Sequence, residues 1–132
     1  MTEPIREYVT QWLIKANEDI AVIERLFLSK PEEVTGAICF HSQQAVEKFL
    51  KAFLASRKND FRPTHDVDFL LSECVKIDQA AFLGLDLKSL ADFAVNVRYP
   101  DDFFVPEMDE ALSCSELAKT VKKIVEKTIP FV

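Results

Sequence analysis

Glycine is scarce in this chain, with only 2 glycines among 132 residues. Glycine supplies the left-handed and close-approach backbone positions of tight turns and phosphate-binding loops. Gly36 and Gly84 lie far apart in the sequence, so together they cannot form a glycine-rich phosphate loop. The low glycine content therefore favours long helices with short connections.

Cysteine and histidine are also few. The three cysteines, Cys39, Cys74 and Cys114, show no C-x-x-C spacing, and an odd number cannot pair completely within one chain. We interpret them as buried, reduced thiols. The two histidines, His41 and His65, have no second His or Cys at metal-ligand spacing. The sequence thus predicts no metal site and no cofactor.

No run of about 18 apolar residues, the length needed to cross a membrane, is present. The N-terminus begins with polar and charged residues and lacks the basic start and apolar run of a signal peptide. These absences predict a soluble cytoplasmic protein that does not bind membranes.

Positive charge is in deficit overall, because the net charge is −6 and the pI is near 4.9. Nucleic-acid-binding surfaces need clustered Lys and Arg, so this balance argues against a protein that grips nucleic acid over its whole surface. The charge is uneven, however. Residues 41–62 carry five Lys or Arg against two acidic residues, and residues 98–110 carry one against five. A local anion site is compatible with this pattern, as is complementary pairing between two copies or with another protein.

A length of 132 residues predicts a single domain spanning 1–132. Apolar residues recur at helical spacing, and no strand pattern or internal repeat is evident. The spacing predicts helices over 4–29, 31–56, 65–75 and 83–97, and a last helix that starts at Pro106. Thr64 is the expected cap of the third helix. We therefore expect an all-α antiparallel bundle of four main helices with short accessory helices.

The second predicted helix carries two different faces. Apolar side chains occupy one side, and four polar ones, here called the polar stripe, lie within about 80° on another side; they are His41, Gln44, Lys48 and Lys51. The stripe suits a charged partner, although Lys and Gln are also ordinary residues of a solvated helix face.

Asp19 lies within the apolar arc of the first predicted helix, close to Trp12 on the helical wheel. A buried, unpaired carboxylate is costly, so an inward-pointing Asp19 must meet a cation or several hydrogen-bond donors. Lys48, His41 and Arg98 are the candidate partners. The alternative is that Asp19 lies at the end of the helix contact and reaches water.

Two turns could join the polar stripe if the bundle brings the second and fourth helices together. One is Thr64-His65-Asp66 and the other is Arg98-Tyr99-Pro100-Asp101. Arg98 suits bidentate phosphate contact, Lys48 supplies a point charge and Tyr99 can stack on a base. Alternatively, Arg98 and Asp101 form a local ion pair at a helix end and Tyr99 fills the edge of the bundle. The candidate ligand-binding residues are His41, Gln44, Lys48, Lys51, His65, Arg98, Tyr99 and Asp101.

These residues carry a resemblance to a known family. W-x3-A-x2-D at Trp12 to Asp19, CFHSQQAVEKFLKAFL at Cys39 to Leu54, THD at Thr64 to Asp66 and RYPD at Arg98 to Asp101 resemble the HEPN domain family. The resemblance implies a bundle of four or more helices, often dimeric, in a family proposed to bind nucleotides. It also implies a small nucleotidyltransferase as partner. Some members act as ribonucleases in toxin–antitoxin or defence systems.

The ribonuclease members resemble one another in an Arg and a His that are separated by four to six residues. Arg98 stands at the matching place, but Phe103, Phe104 and Val105 occupy the positions of that His. None of the three can act as a general acid or base, so we predict no catalytic residue.

We therefore expect a HEPN domain that binds a nucleotide or another phosphate ligand and acts with a small nucleotidyltransferase, as in a toxin–antitoxin pair. One alternative is a homodimeric helical module without a ligand, suggested by the apolar pair Phe103-Phe104. A metal-independent ribonuclease toxin that depends on Arg98 is the other alternative. RNA is the less favoured ligand.

Overall fold

A computed structural model of the protein describes residues 1–93 and 104–131. Four α-helices make up most of this part: α1 (Glu3–Leu26), α2 (Thr35–Ser56), α3 (Val67–Ile77) and α4 (Met108–Thr128). Short 3₁₀ helices cover Pro31–Glu33 and Lys88–Phe93. The described residues contain no strand, which confirms the predicted all-helical fold.

Helix α2 is the centre of the bundle and packs against α1, α3 and α4. Its predicted apolar face is fully buried at every position: Ile38, Cys39, Ala45, Val46, Phe49, Leu50 and Phe53. Burying one large apolar side chain stabilises a fold by about 1.5–3 kcal/mol. This face, covered on several sides by the other helices, is therefore the main source of stability.

The helix directions follow from contacts near the helix ends. Trp12, early in α1, lies beside Lys51, late in α2, so these two helices are antiparallel. Arg6 near the start of α1 stacks on Phe131 after the end of α4, so this pair is antiparallel too.

Helices α2 and α4, in contrast, run in the same direction. Arg57, just after α2, donates a 3.4 Å hydrogen bond to the carbonyl of Thr128, the last residue of α4. At the other end, a Cβ placed on Gly36 would lie 4.0 Å from Pro106. The long segment between α2 and α4 returns the chain to the end of the bundle where α2 begins, and this permits the shared direction.

Several helix ends differ from the sequence prediction. Pro31 opens a 3₁₀ turn rather than α2, because Lys30 adopts a left-handed conformation (φ 48°) and Val34 (φ −132°, ψ 31°) interrupts the helix before Thr35. Asp66, not Thr64, caps α3 by accepting hydrogen bonds from the amides of Asp68 and Phe69.

The predicted helix over 83–97 is wrong in its first part. Gly84 has φ +79°, a left-handed conformation that an α-helix cannot contain, and Leu83 is exposed. Leu87 and Leu90 are buried as predicted, but Leu87 directly precedes a 3₁₀ helix and Leu90 lies within it. Ala94 and Val97 lie outside the described residues.

Helix α4 begins two residues after Pro106, with Glu107 as its N-cap residue. Its predicted apolar positions are all fully buried: Ala111, Cys114, Ala118, Val121 and Val125. The three cysteines are buried and form no disulfide, as predicted. Burial raises the pKa of Cys74 to about 12, and the contact with Cys114 together with burial raises the pKa of Cys39. These two thiols therefore stay protonated at neutral pH and are poor nucleophiles.

Candidate functional site

Asp19 lies on the face of α1 that packs on α2, and it is buried. The antiparallel arrangement places it between two residues of the polar stripe. His41 Nδ1 lies 2.8 Å from Oδ1 of Asp19, and Lys48 Nζ donates to Oδ2 at 2.7 Å. Two of the three predicted partners of the inward-pointing carboxylate are therefore found. We call this group the Asp19 trio.

A second buried carboxylate, that of Glu47 on α2, forms the same kind of group. Glu47 accepts a hydrogen bond from Lys51 Nζ at 3.0 Å, and its other oxygen lies 2.9 Å from His65 Nδ1. Lys51 also lies over the ring of Trp12, with Nζ 5.1 Å from the ring centre. Such a cation–π contact contributes about 0.5–2 kcal/mol. We call Glu47, Lys51 and His65 the Glu47 trio.

Two glutamines connect α2 to the segment before α3. Gln43 is fully buried and donates from Nε2 to the backbone carbonyl of His65 at 3.1 Å. Gln44 donates from Nε2 to Oε1 of Gln43 at 2.8 Å. Sequence reasoning missed Gln43 and Glu47. Gln43, Glu47 and Lys51 follow one another at intervals of four residues, which places them in one line along the helix. This spacing was the sequence signal that could have identified them.

The two trios differ in which group reaches solvent. The Lys48 side chain is 22% exposed, whereas that of Lys51 is 7% exposed. The His41 side chain is 28% exposed and that of His65 is 70% exposed. Only the Asp19 trio thus presents both an ammonium group and an imidazole at the surface.

The chemistry of the Asp19 trio follows from its hydrogen bonds. The carboxylate accepts from Nδ1 of His41 when that nitrogen carries its proton, which leaves Nε2 available. Lys48 has three N–H donors, and Asp19 accepts one of them. An anion at this place could therefore accept from Lys48 and from a protonated His41.

The predicted site residues are only partly brought together. His41, Gln44, Lys48 and Lys51 share α2, and His65 reaches that helix through Glu47. Lys51 is enclosed between Glu47 and Trp12. The other three predicted residues, Arg98, Tyr99 and Asp101, lie outside the described residues.

An apolar groove of about 380 Å³ lies on the outer side of α1. It is lined by Tyr8, Gln11, Trp12, Ile14 and Lys15. Tyr8 and Ile14 are large exposed apolar residues of the surface. Across residues 1–90, 93 and 104–131, Trp12 Nε1 is the one buried side-chain nitrogen or oxygen without a hydrogen-bond partner.

In the described part of the chain, no cluster of three or more His, Cys, Asp or Glu residues could hold a metal ion. No helix in that part combines the length and the apolar character that crossing a membrane requires.

Comparison with known protein families places most of this chain in one of them. The family model described as HEPN domain matches residues 9–128, which is nearly the whole chain. No curated protein and no solved structure was found to match. The matched range includes every residue of both trios.

Proposed function

Because the chain belongs to the HEPN domain family, we propose that it binds a nucleotide or another phosphate ligand at the Asp19 trio and acts with a small nucleotidyltransferase. The supporting observation is that one buried carboxylate holds Lys48 and His41 together at the surface. Donors that are held in place lose little conformational entropy when a ligand binds. Lys48 and His41 thus suit a phosphate group.

The remaining predicted residues have graded roles in this proposal. Gln44, one turn from both Lys48 and His41 on the helix, orients the base or sugar, and Arg98 and Tyr99 add an anion contact and a stacking surface. Lys51 and His65 act indirectly, because the Glu47 trio ties the segment before α3 to α2. Asp101 stays a predicted residue of the site without a more specific role.

We propose no catalytic step for this chain. Phe104 and Val105 are exposed and carry no acid or base, although they occupy two of the positions where the ribonuclease members have His. The ribonuclease alternative would rest on Arg98 alone. It predicts that induced expression in cells stops growth and degrades RNA, and intact RNA with normal growth would remove it.

A thermal-shift titration with ATP, GTP, AMP and a short RNA tests the ligand site. A ligand at about 100 times its Kd should stabilise the wild-type protein by about 2.7 kcal/mol. Lys48→Met should abolish this shift. Lys119→Met removes an exposed lysine of α4 and should leave the shift unchanged. An equal shift in Lys48→Met, or no shift with any of the four ligands, would contradict the proposed site.

The partner is tested separately. A nucleotidyltransferase encoded next to this chain should co-purify with it when both are expressed together. A neighbouring gene of another kind, or two proteins that elute apart at micromolar concentration, would contradict this part of the proposal and leave the ligand site standing.

A dimeric interaction module is the second candidate function. It is favoured by the apolar groove on α1, where Tyr8 is 47% and Ile14 is 60% exposed, and by Phe104, which is 49% exposed. Contiguous exposed apolar surface often marks protein interfaces. Sedimentation should then show a homodimer that Ile14→Glu dissociates. A wild-type monomer at micromolar concentration would count against this function.

A further inference from the structure

The Asp19 trio has no net positive charge to attract an anion while the imidazole is neutral. When the imidazole is neutral, the carboxylate of Asp19 cancels the charge of Lys48, whose Nζ lies 2.7 Å away. An anion that approaches Lys48 therefore meets a group whose net charge is zero. An added positive charge is needed for strong attraction, and among side-chain types imidazole is the one that supplies such a charge by taking up a proton.

The hydrogen bonds determine where that charge would appear. Asp19 Oδ1 holds Nδ1 of His41 at 2.8 Å, so an added proton is placed on Nε2. The His41 side chain is 28% exposed, so Nε2 can exchange protons with solvent and reach a ligand. A protonated Nε2 gives the ligand a second charged donor beside Lys48.

We propose that anion binding at the Asp19 trio takes up one proton at Nε2 of His41, so that affinity rises as the pH falls. This inference rests on the function proposed above and specifies how that same site is regulated. The buried carboxylate is the reason for the coupling: it holds both donors in place, and it also cancels the lysine charge until the imidazole is protonated.

The groups around His41 agree with this coupling. Asp19 of α1 lies directly against the imidazole, and Lys48, on the same helix as His41, lies on the far side of that carboxylate. The ring of Phe40 contacts the imidazole edge to face, with 5.2 Å between ring centres, and carries no charge. An incoming anion adds negative charge and shifts the balance toward protonation.

The Glu47 trio provides a matched control within the same molecule. His65 has the same hydrogen bond to a buried carboxylate, and that carboxylate also pairs with a lysine. Lys51, however, is enclosed under Trp12 and offers no surface ammonium group to an anion. Protonation of His65 should therefore have little effect on ligand affinity.

The test measures ATP affinity by calorimetry between pH 7.0 and 8.5 for wild type, His41→Asn and His65→Asn. Asparagine at position 41 can still donate to Asp19 but cannot be protonated. Wild-type affinity should fall as the pH rises, by at most about tenfold per pH unit, because up to one proton is bound with each ligand. His65→Asn should keep that slope. His41→Asn should show only the small slope that comes from ATP itself.

Calorimetry in buffers with different ionisation enthalpies provides a second measurement. The observed binding enthalpy should depend on the buffer in wild type, with uptake of up to one proton, and not in His41→Asn. Binding with equal slopes in wild type and His41→Asn would overturn the inference and leave the proposed function intact. A slope lost only in His65→Asn would overturn it as well. Absence of ATP binding at every pH would overturn both.

Discussion

The Asp19 trio and the Glu47 trio contain the same chemical groups but differ in which of these groups are exposed to solvent. Each has one buried carboxylate that pairs with one lysine and one histidine. In the first, the lysine and the histidine are both partly exposed. In the second, the lysine is enclosed and the histidine is largely exposed.

This difference separates a trio that suits the proposed ligand site from one that suits a structural role. An enclosed ammonium group depends on its carboxylate, because water cannot replace the partner. A partly exposed one can exchange its partner for water or for a ligand. The Glu47 trio therefore serves stability, whereas the Asp19 trio is the one able to change its contacts.

The largest effect is expected from removing the enclosed carboxylate. Glu47→Ala leaves the ammonium group of Lys51 buried without a counter-charge, and breaking a buried pair in this way typically costs about 3–5 kcal/mol. We expect a loss of this size in the free energy of unfolding, measured by urea denaturation.

The control for this change is Glu73→Gln. Glu73 pairs with Lys76, whose side chain is 75% exposed, and exposed pairs contribute little. We expect a change below about 0.5 kcal/mol. If Glu47→Ala costs no more than this control, Lys51 must reach water and the proposed contrast between the trios is wrong.

A smaller effect on stability, with an opposite effect on binding, is expected from Asp19→Asn. Lys48 and His41 can turn toward water, so the stability loss should be about 1–2 kcal/mol. The same change removes the negative charge that cancels the charge of Lys48, so ATP affinity should rise. We expect a several-fold rise, which is less than the tenfold that about 1.4 kcal/mol of binding free energy would give. Calorimetry beside urea denaturation measures both quantities. Weaker ATP binding in Asp19→Asn would show that the carboxylate favours binding by positioning Lys48 and His41 more than it opposes binding by cancelling the lysine charge.

Much of the fold follows from the sequence, because burial of one helix face imposes a regular spacing of apolar residues. The buried faces of α2 and α4 were predictable for this reason. The end of α2 at Ser56 was also predictable, but its start was not, because the left-handed backbone of Lys30 and the break at Val34 have no signal in residue type. The shared direction of α2 and α4 depends on the long segment between them, whose path has no sequence signature.

The candidate site was predictable where one residue violated the pattern around it. Asp19 is a carboxylate in an apolar arc, and burial then requires a cation, which led to Lys48 and His41. Glu47 was missed because acidic residues are ordinary on helices. Whether a lysine of the polar stripe is exposed or enclosed also depends on tertiary packing, since Trp12 covers Lys51 from another helix.

The smallest effect is expected from His65→Asn. This change separates the anchoring of the segment before α3 from the pairing of Glu47 with the enclosed Lys51. The imidazole is 70% exposed, and exposed ion pairs contribute about 0–1 kcal/mol, so unfolding should become easier by less than about 1 kcal/mol. Gln43 still holds the backbone of residue 65, but its side-chain anchor is lost. Amide hydrogen exchange should therefore become faster in residues 60–66 and stay unchanged in the core of α2. A loss as large as that of Glu47→Ala would mean that the histidine, rather than the enclosed lysine, makes this carboxylate essential.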